Sequence, residues 1–459
     1  MANIQHLTLP WVEVEIGDIA EVKGGKRLPK GKSLLDTQTA YPYIRVTDFK
    51  MASVDLSSLK YLDDETQRAI KNYTISKDDL YISIAGTIGI VGQIPPELDG
   101  ANLTENAAKL CSLTGVDQSY LRYVISSNAV KEQFNESMTS SGQPKLALFR
   151  IKNCQFLLPP LAEQKVIADK LATLLAQVET TKARLERIPE ILKTFRQSVL
   201  AAAVSGKLNA GDYQQAPVYK ALGDVGVEVK TGPFGSALHK SEYISGGIPV
   251  INPMHISNGT IVASQQMTIP KAKYDELEAW HLKIGDVVVG RRGEMGRAAV
   301  VNYKGEMLCG TGSMILRTPK NSLPKYLEII LRSPLAVEYF TSNSVGSTMV
   351  NLNQKIIKSL QVHFPSQEEQ TEIVRRVEKL FAYADKVEAQ VKTAQARVNQ
   401  LTQSILAKAF RGELTANWRA ANPELISGEN SAEALLVIIK NERAKLSQTK
   451  KGRGKSVEN

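Results

Sequence analysis

The segment PPLAEQKVIADKLATLLAQVETTKARLERIPEILKTFRQSVLAAAVSGKL, Pro159 to Leu208, returns later in the chain as PSQEEQTEIVRRVEKLFAYADKVEAQVKTAQARVNQLTQSILAKAFRGEL, Pro365 to Leu414. Glu163 falls on Glu369, Gln197 on Gln403 and Leu208 on Leu414, a constant shift of 206 residues. In the first copy Ile167, Leu171, Leu174, Val178, Leu185, Ile188, Leu192, Phe195 and Val199 advance by alternating steps of four and three, with Thr181 in the one gap. The second copy repeats the pattern at Ile373, Val377, Leu380, Ala384, Val387, Val391, Ala394, Val398, Leu401 and Ile405. That spacing is a heptad seam, apolar where one helix meets another. A seam this long must be covered, and the other copy in the same chain is the economical cover. Two helices of about 40 residues reach roughly 60 Å at 1.5 Å per residue, so an antiparallel spacer is expected. Pro189 has Gln395 as its counterpart, which predicts a kink in the first helix alone.

The shift extends beyond the helices. IGDI at Ile16–Ile19 falls on LGDV at Leu222–Val225, and SYLRYVISS from Ser119 falls on KYLEIILRS from Lys325. In mid-half the register slips by one, so Pro42 meets Pro249, Asp79 meets Asp286, Gly86 meets Gly293 and Gly89 meets Gly296. Two copies of one module therefore make up nearly the whole chain. Ahead of each helix, short β-branched runs flank Gly-centred turns, as in DDLYISIAGTIGIVGQI and GDVVVGRRGEMGRAAVV, the mark of strands joined by tight turns. The expected fold is α/β (α+β): two tandem mixed α/β domains, separated by two long helices packed as an antiparallel coiled coil, in a pseudo-two-fold internal repeat. Residues 1–158 form the first head, 159–208 the first helical spacer, 209–364 the second head, 365–414 the second spacer, and 415–459 a C-terminal helix and basic tail. Within that tail SAEALLVIIKNERAKL reads as one amphipathic helix expected to pack near the chain start, and KKGRGKSVEN as a disordered basic end.

The 459 residues are 43% hydrophobic and 23% charged, the composition of an ordinary globular protein with room for several cores. Lys and Arg number 57 against 47 Asp and Glu, a net charge of +10 that favours a polyanionic partner. Cys111, Cys154 and Cys309 are odd in number and far apart, with no C-x-x-C, which points to reduced, buried thiols and away from zinc. His6, His239, His255, His281 and His363 are scattered, and no metal ligand set is assigned. MANIQHLTLPW lacks a signal segment, and apolar runs such as VLAAAV at Val199–Val204 are far short of a membrane span. A soluble cytoplasmic chain without membrane association is expected. The basic stretch GGKRLPKGKS, Gly24–Ser33, is not a nucleotide-binding loop: its glycines miss the G-x-x-x-x-G-K-[ST] spacing and Pro29 removes a donor.

Two related heads on a rigid spacer suit two half-sites on one duplex, and heads of different sequence suit different half-sites. In each head two segments carry the candidate contacts. The opening loops are VKGGKRLPKGK, with Lys23, Lys26, Arg27, Lys30 and Lys32, and VKTGPFGSALHK, with Lys230, His239 and Lys240. The mid-domain turns are AGTIG, with Thr87, and RRGEMG, where Arg291 and Arg292 have the forked guanidinium suited to guanine edges or phosphates. Arg45, Lys145, Arg297, Asn351 and Lys355 complete the DNA-binding candidates. The seam residues Ile167, Leu171, Leu174, Val178, Leu185, Leu192, Phe195, Val377, Leu380, Val387, Val391, Val398 and Leu401 are the candidates for holding the spacer and docking partners.

With PPLAEQK, the paired SGKL and FRGEL endings and the tandem heptads side by side, the chain resembles the DNA-specificity subunit of a bacterial type I restriction-modification enzyme. Its helices and its tail, ANWRAANPELISGENSAEALL, resemble the enteric K-type (IA) family. The resemblance implies that the strand-rich domains are target recognition domains for double-stranded DNA, and that the helices dock two methyltransferase subunits, which recruit two restriction/motor subunits. It also implies no active site in this chain. S-adenosylmethionine, for adenine N6 methylation, and ATP with Mg are then the partners' cofactors. The sequence has no [DN]-P-P-[YFW] motif for a flipped base: LPPL and IPPE lack the first residue and INPM lacks the second Pro. Two other readings stay open at this stage, a free-standing two-headed DNA-binding adaptor of another defence system and an autonomous enzyme.

Overall fold

The structure, a computed structural model, describes residues 9–136, 145–209, 218–234, 236–344 and 351–454; His6 and the end of the tail lie outside them. The chain divides into two compact units, residues 1–183 with 395–459, and residues 184–394.

In the first unit the order is β1 (Val12–Glu15), α1 (Ile16–Ile19), β2 (Glu21–Gly24), β3 (Pro42–Ile44), β4 (Phe49–Lys50), β5 (Ser53–Val54), β6 (Lys60–Tyr61), α2 (Asp64–Ile70), β7 (Leu80–Ser83), β8 (Val91–Gln93), β9 (Asn102–Leu103), β10 (Ala107–Cys111), α3 (Gln118–Ser126), α4 (Asn128–Glu136), α5 (Leu148–Lys152), β11 (Gln155–Leu158) and the start of α6 (Leu161–Val204). The second unit follows with β12 (Tyr219–Ala221), β13 (Glu228–Thr231), β14 (Ile248–Ile251), β15 (Ile256–Ser257), β16 (Thr260–Ile261), β17 (Thr268–Ile269), α7 (Lys271–Glu276), β18 (Val287–Gly290), β19 (Ala298–Val300), β20 (Leu308–Cys309), β21 (Ser313–Arg317), α8 (Pro324–Arg332), α9 (Pro334–Asn343), α10 (Gln354–Lys358), β22 (Gln361–His363) and the start of α11 (Gln367–Phe410). After α11 come α12 (Ala416–Ala421) and α13 (Ala432–Gly454).

Each head carries the same sheets. An antiparallel sheet β2-β10-β7-β8 is matched by β13-β21-β18-β19, and β6-β3-β9 by β17-β14-β20, in which β3–β9 and β14–β20 pair in parallel. β7 and β18 are buried along their whole length, as their unbroken apolar runs require of central strands. Short hairpins β4–β5 and β15–β16 sit beside them, and β1–β11 and β12–β22 pair the ends of each head.

The repeat persists down to single hydrogen bonds. The Gln164 carboxamide oxygen accepts from Asp117 N at 2.8 Å and its Nε2 donates to Pro159 O at 2.9 Å. Gln370 does the same with Leu323 N and Pro365 O, both at 2.8 Å. Tyr120 Oη donates to Leu157 O and Tyr326 Oη to His363 O. These side chains tie the start of each long helix to its own head.

α6 and α11 each run 44 residues, and α6 continues through Pro189. In the first unit Ile167, Ala168 and Leu171 share a core with Ile405, Leu406 and Ala409; in the second, Phe195, Val199, Leu200 and Ala203 share one with Ile373, Val377 and Leu380. The start of each helix meets the end of the other, so they run antiparallel. Ile167, Leu171, Val178, Leu192, Val377, Val391 and Val398 are buried, while Leu174, Leu185, Phe195, Leu380 and Val387 are half-buried. Leu401 departs from the expected seam. It is 44% exposed, and the inward face passes over Thr402, Ile405 and Leu406, because a 3.6-residue helix drifts from a strict 3.5-residue repeat.

Glu163, wholly buried, anchors the first unit: Oε2 accepts from Trp11 Nε1 at 2.8 Å, and Oε1 from Thr415 Oγ1 and Arg419 Nη1, each at 2.6 Å. α13 packs against the chain start as expected, with Leu435 and Ile439 in the core and Arg443 Nη2 donating to Gly17 O and Ala20 O. Gly115, at φ +65°, leaves room for Ile439. The helix runs on to Gly454, so the first residues of KKGRGKSVEN are helical and not a disordered end; residues 455–459 lie outside the described residues.

Candidate nucleic-acid interface

In the second unit, segments far apart in sequence converge at one end of the main sheet. β18 ends in Gly290 and leads into the turn Arg291–Gly296, where Gly293 and Gly296 take φ near +80°. Arg291 N donates to Gly312 O at 2.9 Å, and Leu352 N donates to Arg291 O at 2.9 Å. Arg292 bridges Asn351 through the backbone, and its Nε donates to Asn351 Oδ1 at 2.8 Å. Gln354 Nε2 reaches Thr231 Oγ1 at 3.2 Å, joining the start of α10 to the opening loop. Arg291, Arg292 and Asn351 are thereby gathered on one platform, while Lys230 stands over Trp280 and Lys355 borders a cleft with Ala221, Asp224 and Gln361.

The first unit builds the same platform from different side chains. Ala85 bridges Lys145 as Arg292 bridges Asn351, and Leu146 N donates to Ile84 O at 2.8 Å. Thr87 and Lys145 are exposed. Lys23, paired with Glu21 at 2.6 Å, lies beside a cavity of about 330 Å³ lined also by Lys109, Asn72, Tyr73 and Leu148. Lys26 stands 5.2 Å from the centre of the Tyr73 ring, as Lys230 stands 5.6 Å from that of Trp280. Tyr73 and Trp280 occupy corresponding positions at the mid-domain shift of 207, and this aligned aromatic pair is the signal by which the sequence reading would have found them. An ammonium over a ring keeps its outer face free for an anion.

Several candidates are engaged inside the protein instead. Lys32 pairs with Glu65 at 2.5 Å and with Asp63 at 3.8 Å. The Arg45 guanidinium is clamped on Asp48 and Ser58 O, so it caps a turn and presents no free face. Arg297 pairs with Glu294 at 2.7 Å and donates to Pro253 O. Arg27, though exposed, pairs with Glu105 at 2.9 Å. Lys30 is exposed on the loop. His239 lends its backbone N to Glu242, and Lys240 lines an open cleft of about 660 Å³ with Asn252, Met254, Met267 and Thr311. Gly25 and Gly232 pass so close to Leu103 O, Thr104 O and Gly310 O that any Cβ would collide with them. Glycine at these two positions therefore serves backbone packing.

The thiols of Cys111, Cys154 and Cys309 are buried, and burial pushes each above its ordinary pKa, Cys154 to about 12. Among the described residues no group of three or more His, Cys, Asp or Glu is placed to hold a metal ion. No helix among them is long and apolar enough to cross a membrane.

A sheet platform built twice, with Lys26 and Lys230 beside aromatic rings and a net charge of +10, is the footprint of a two-headed nucleic-acid-binding protein. The family model described as the type I restriction modification DNA specificity domain matches residues 9–190 and again 218–394. The chain is 36% identical over 463 residues to the type I restriction enzyme EcoKI specificity subunit of Escherichia coli K12, covering 97% of this chain and 98% of that one. It is 35% identical to the StySPI specificity subunit of Salmonella potsdam, over 95% and 96% of the two chains, and 45% identical to the E. coli EcoBI specificity subunit over 62% of this chain and 64% of that one. The HsdS subunit of Thermoanaerobacter tengcongensis superposes with a TM-score of 0.59 at 18% identity, over 90% and 99% of the chains. A chain from a solved type I R-M system gives 0.66, also at 18%, over 88% and 98%. The chain belongs to the family of type I restriction-modification specificity subunits.

Proposed function

We propose that this chain reads a bipartite, asymmetric double-stranded DNA target, one half-site per head, with the heads at residues 1–158 and 209–364 and the helices at 159–208 and 365–414 setting the separation. The observation that carries the reading is the platform itself: one backbone design appears twice, with Ile84, Ala85 and Lys145 in one copy and Arg291, Arg292 and Asn351 in the other. Identical scaffolds with different groove-facing groups select different base edges. The helices dock two methyltransferase subunits, which bring two restriction/motor subunits. S-adenosylmethionine and ATP with Mg act in those partners, in the cytoplasm of a bacterium, and this chain uses neither. The specificity subunits among its relatives support this assignment.

The test is a genome-wide map of N6-methyladenine in the host with the gene intact and deleted. A split motif with one methylated adenine in each half, present only with the gene, is the expected result. A gene-independent methylation pattern in a host expressing the partner genes would refute it.

A further inference from the structure

Between Val218 and Phe364 the second head has five arginines, Arg291, Arg292, Arg297, Arg317 and Arg332. Three are held by carboxylates: Arg297 by Glu294, Arg317 by Asp286 and Arg332 by Glu328. Of the five, Arg291 and Arg292 have no acidic partner among the described residues. The two follow one another on the tight turn after β18. Arg292 is exposed, yet its Nε is fixed on Asn351 Oδ1, and Asn351 is in turn held to the turn by the bridge with Arg292. Fixing Nε sets the guanidinium plane and leaves the two terminal nitrogens as a preoriented fork. The Arg291 side chain is half-buried beside it, and its Nε has no hydrogen-bond partner. Burial and the neighbouring Arg292 charge both work against its protonated form, so an incoming acceptor relieves Arg291.

From this geometry we infer that Arg292, oriented by Asn351, reads the O6 and N7 acceptors of one guanine in the half-site bound by the second head. The inference rests on the DNA-reading function proposed above. The first head has Ala85 and Lys145 at the two positions, a methyl group and a flexible ammonium that cannot form the fork, so the same guanine contact belongs to one half-site only. Asn351 is a positioning residue: it touches the arginine and acts on DNA through it.

The experiment uses the full chain assembled with its methyltransferase subunits, and selects bound duplexes from a library randomised across both halves of the target. Wild-type protein returns a split motif; its absence would sink the DNA-reading proposal and this assignment with it, whereas a wild-type motif that the variants leave unchanged sinks this assignment alone. Arg292→Ala and Arg292→Lys are both expected to lose about ten- to hundred-fold discrimination at a single G·C pair in one half, with the other half unchanged. Asn351→Ala is expected to relax the same pair by a smaller factor. A uniform loss of affinity in Arg292→Ala that Arg292→Lys restores would make the contact one to phosphate and overturn the inference. An unchanged motif in both variants would also overturn it.

Discussion

Replacing Glu163 by Gln should cost the first unit far more stability than any other single change of charge in the spacer. Both carboxylate oxygens accept hydrogen bonds, from Trp11, Thr415 and Arg419, and the Arg419 side chain is itself largely covered. A carboxamide offers one acceptor and turns an N–H toward one of those donors. Each buried polar group left unsatisfied costs about 1–3 kcal/mol, and breaking a buried pair from one side costs about 3–5 kcal/mol, so a loss of about 3–4 kcal/mol is expected. Two controls bracket the effect. Arg196 bonds Asp385 and Glu388, whose side chains are mostly exposed, and Arg196→Ala should cost at most about 1 kcal/mol. Glu369, the repeat counterpart of Glu163, receives a hydrogen bond from Asn209 Nδ2 at 2.7 Å where Glu163 has Thr415, lies 3.9 Å from His363 Nε2, and has no arginine partner among the described residues; Glu369→Gln should cost about 1 kcal/mol. Urea unfolding of the full-length chain, followed by tryptophan fluorescence with Trp11 as the local reporter, measures all three. At a slope of about 2–3 kcal/mol/M, Glu163→Gln should lower its transition by about 1–2 M. A shift no larger than that of Arg196→Ala would refute the buried-network argument.

Other consequences can be checked on the same protein. The two-residue hairpin tip Met51–Ala52 has positive φ at both residues, 49° and 57°, where the second head places Asn258–Gly259; Met51→Asn with Ala52→Gly should raise thermal stability by about 1–2 kcal/mol, and a lowered melting temperature would contradict that. His255 is buried, its Nδ1 accepts from Asn252 N and its Nε2 has no partner, so burial depresses its pKa below 6.5. Its contribution is complete above pH 6.5 and is lost as pH falls from 6.5 through the depressed folded value; the urea transition of the second unit should weaken over that range, and His255→Asn should flatten the dependence. At pH 8 the three buried thiols stay protonated, so a disulfide reagent should modify none in native protein and all three in urea; rapid native labelling would show that a thiol is accessible.

The repeat, the antiparallel helices and the domain class were legible because they are written in local periodicity. A heptad needs only the spacing of Ile167, Leu171 and Val178, and duplication makes each copy the check on the other. Even there the reading ended at Leu401, where helical drift and the merging of the seam with the head's core exposed an apolar residue. What spacing alone did not disclose is which cations are spent. Arg45 and Arg292 look alike in sequence. Arg45 is neutralised by Asp48 and a carbonyl thirteen residues away, whereas Arg292 is oriented by an amide 59 residues downstream. Ion pairing depends on which carboxylate the fold delivers, and the sheet order β13-β21-β18-β19 brings distant segments to one edge. By itself the sequence determined a duplicated two-headed chain on paired helices, since hydrophobic burial follows the period of the residues. Only the tertiary structure decided which side chains face outward unpaired, because that is set by long-range contacts between loops.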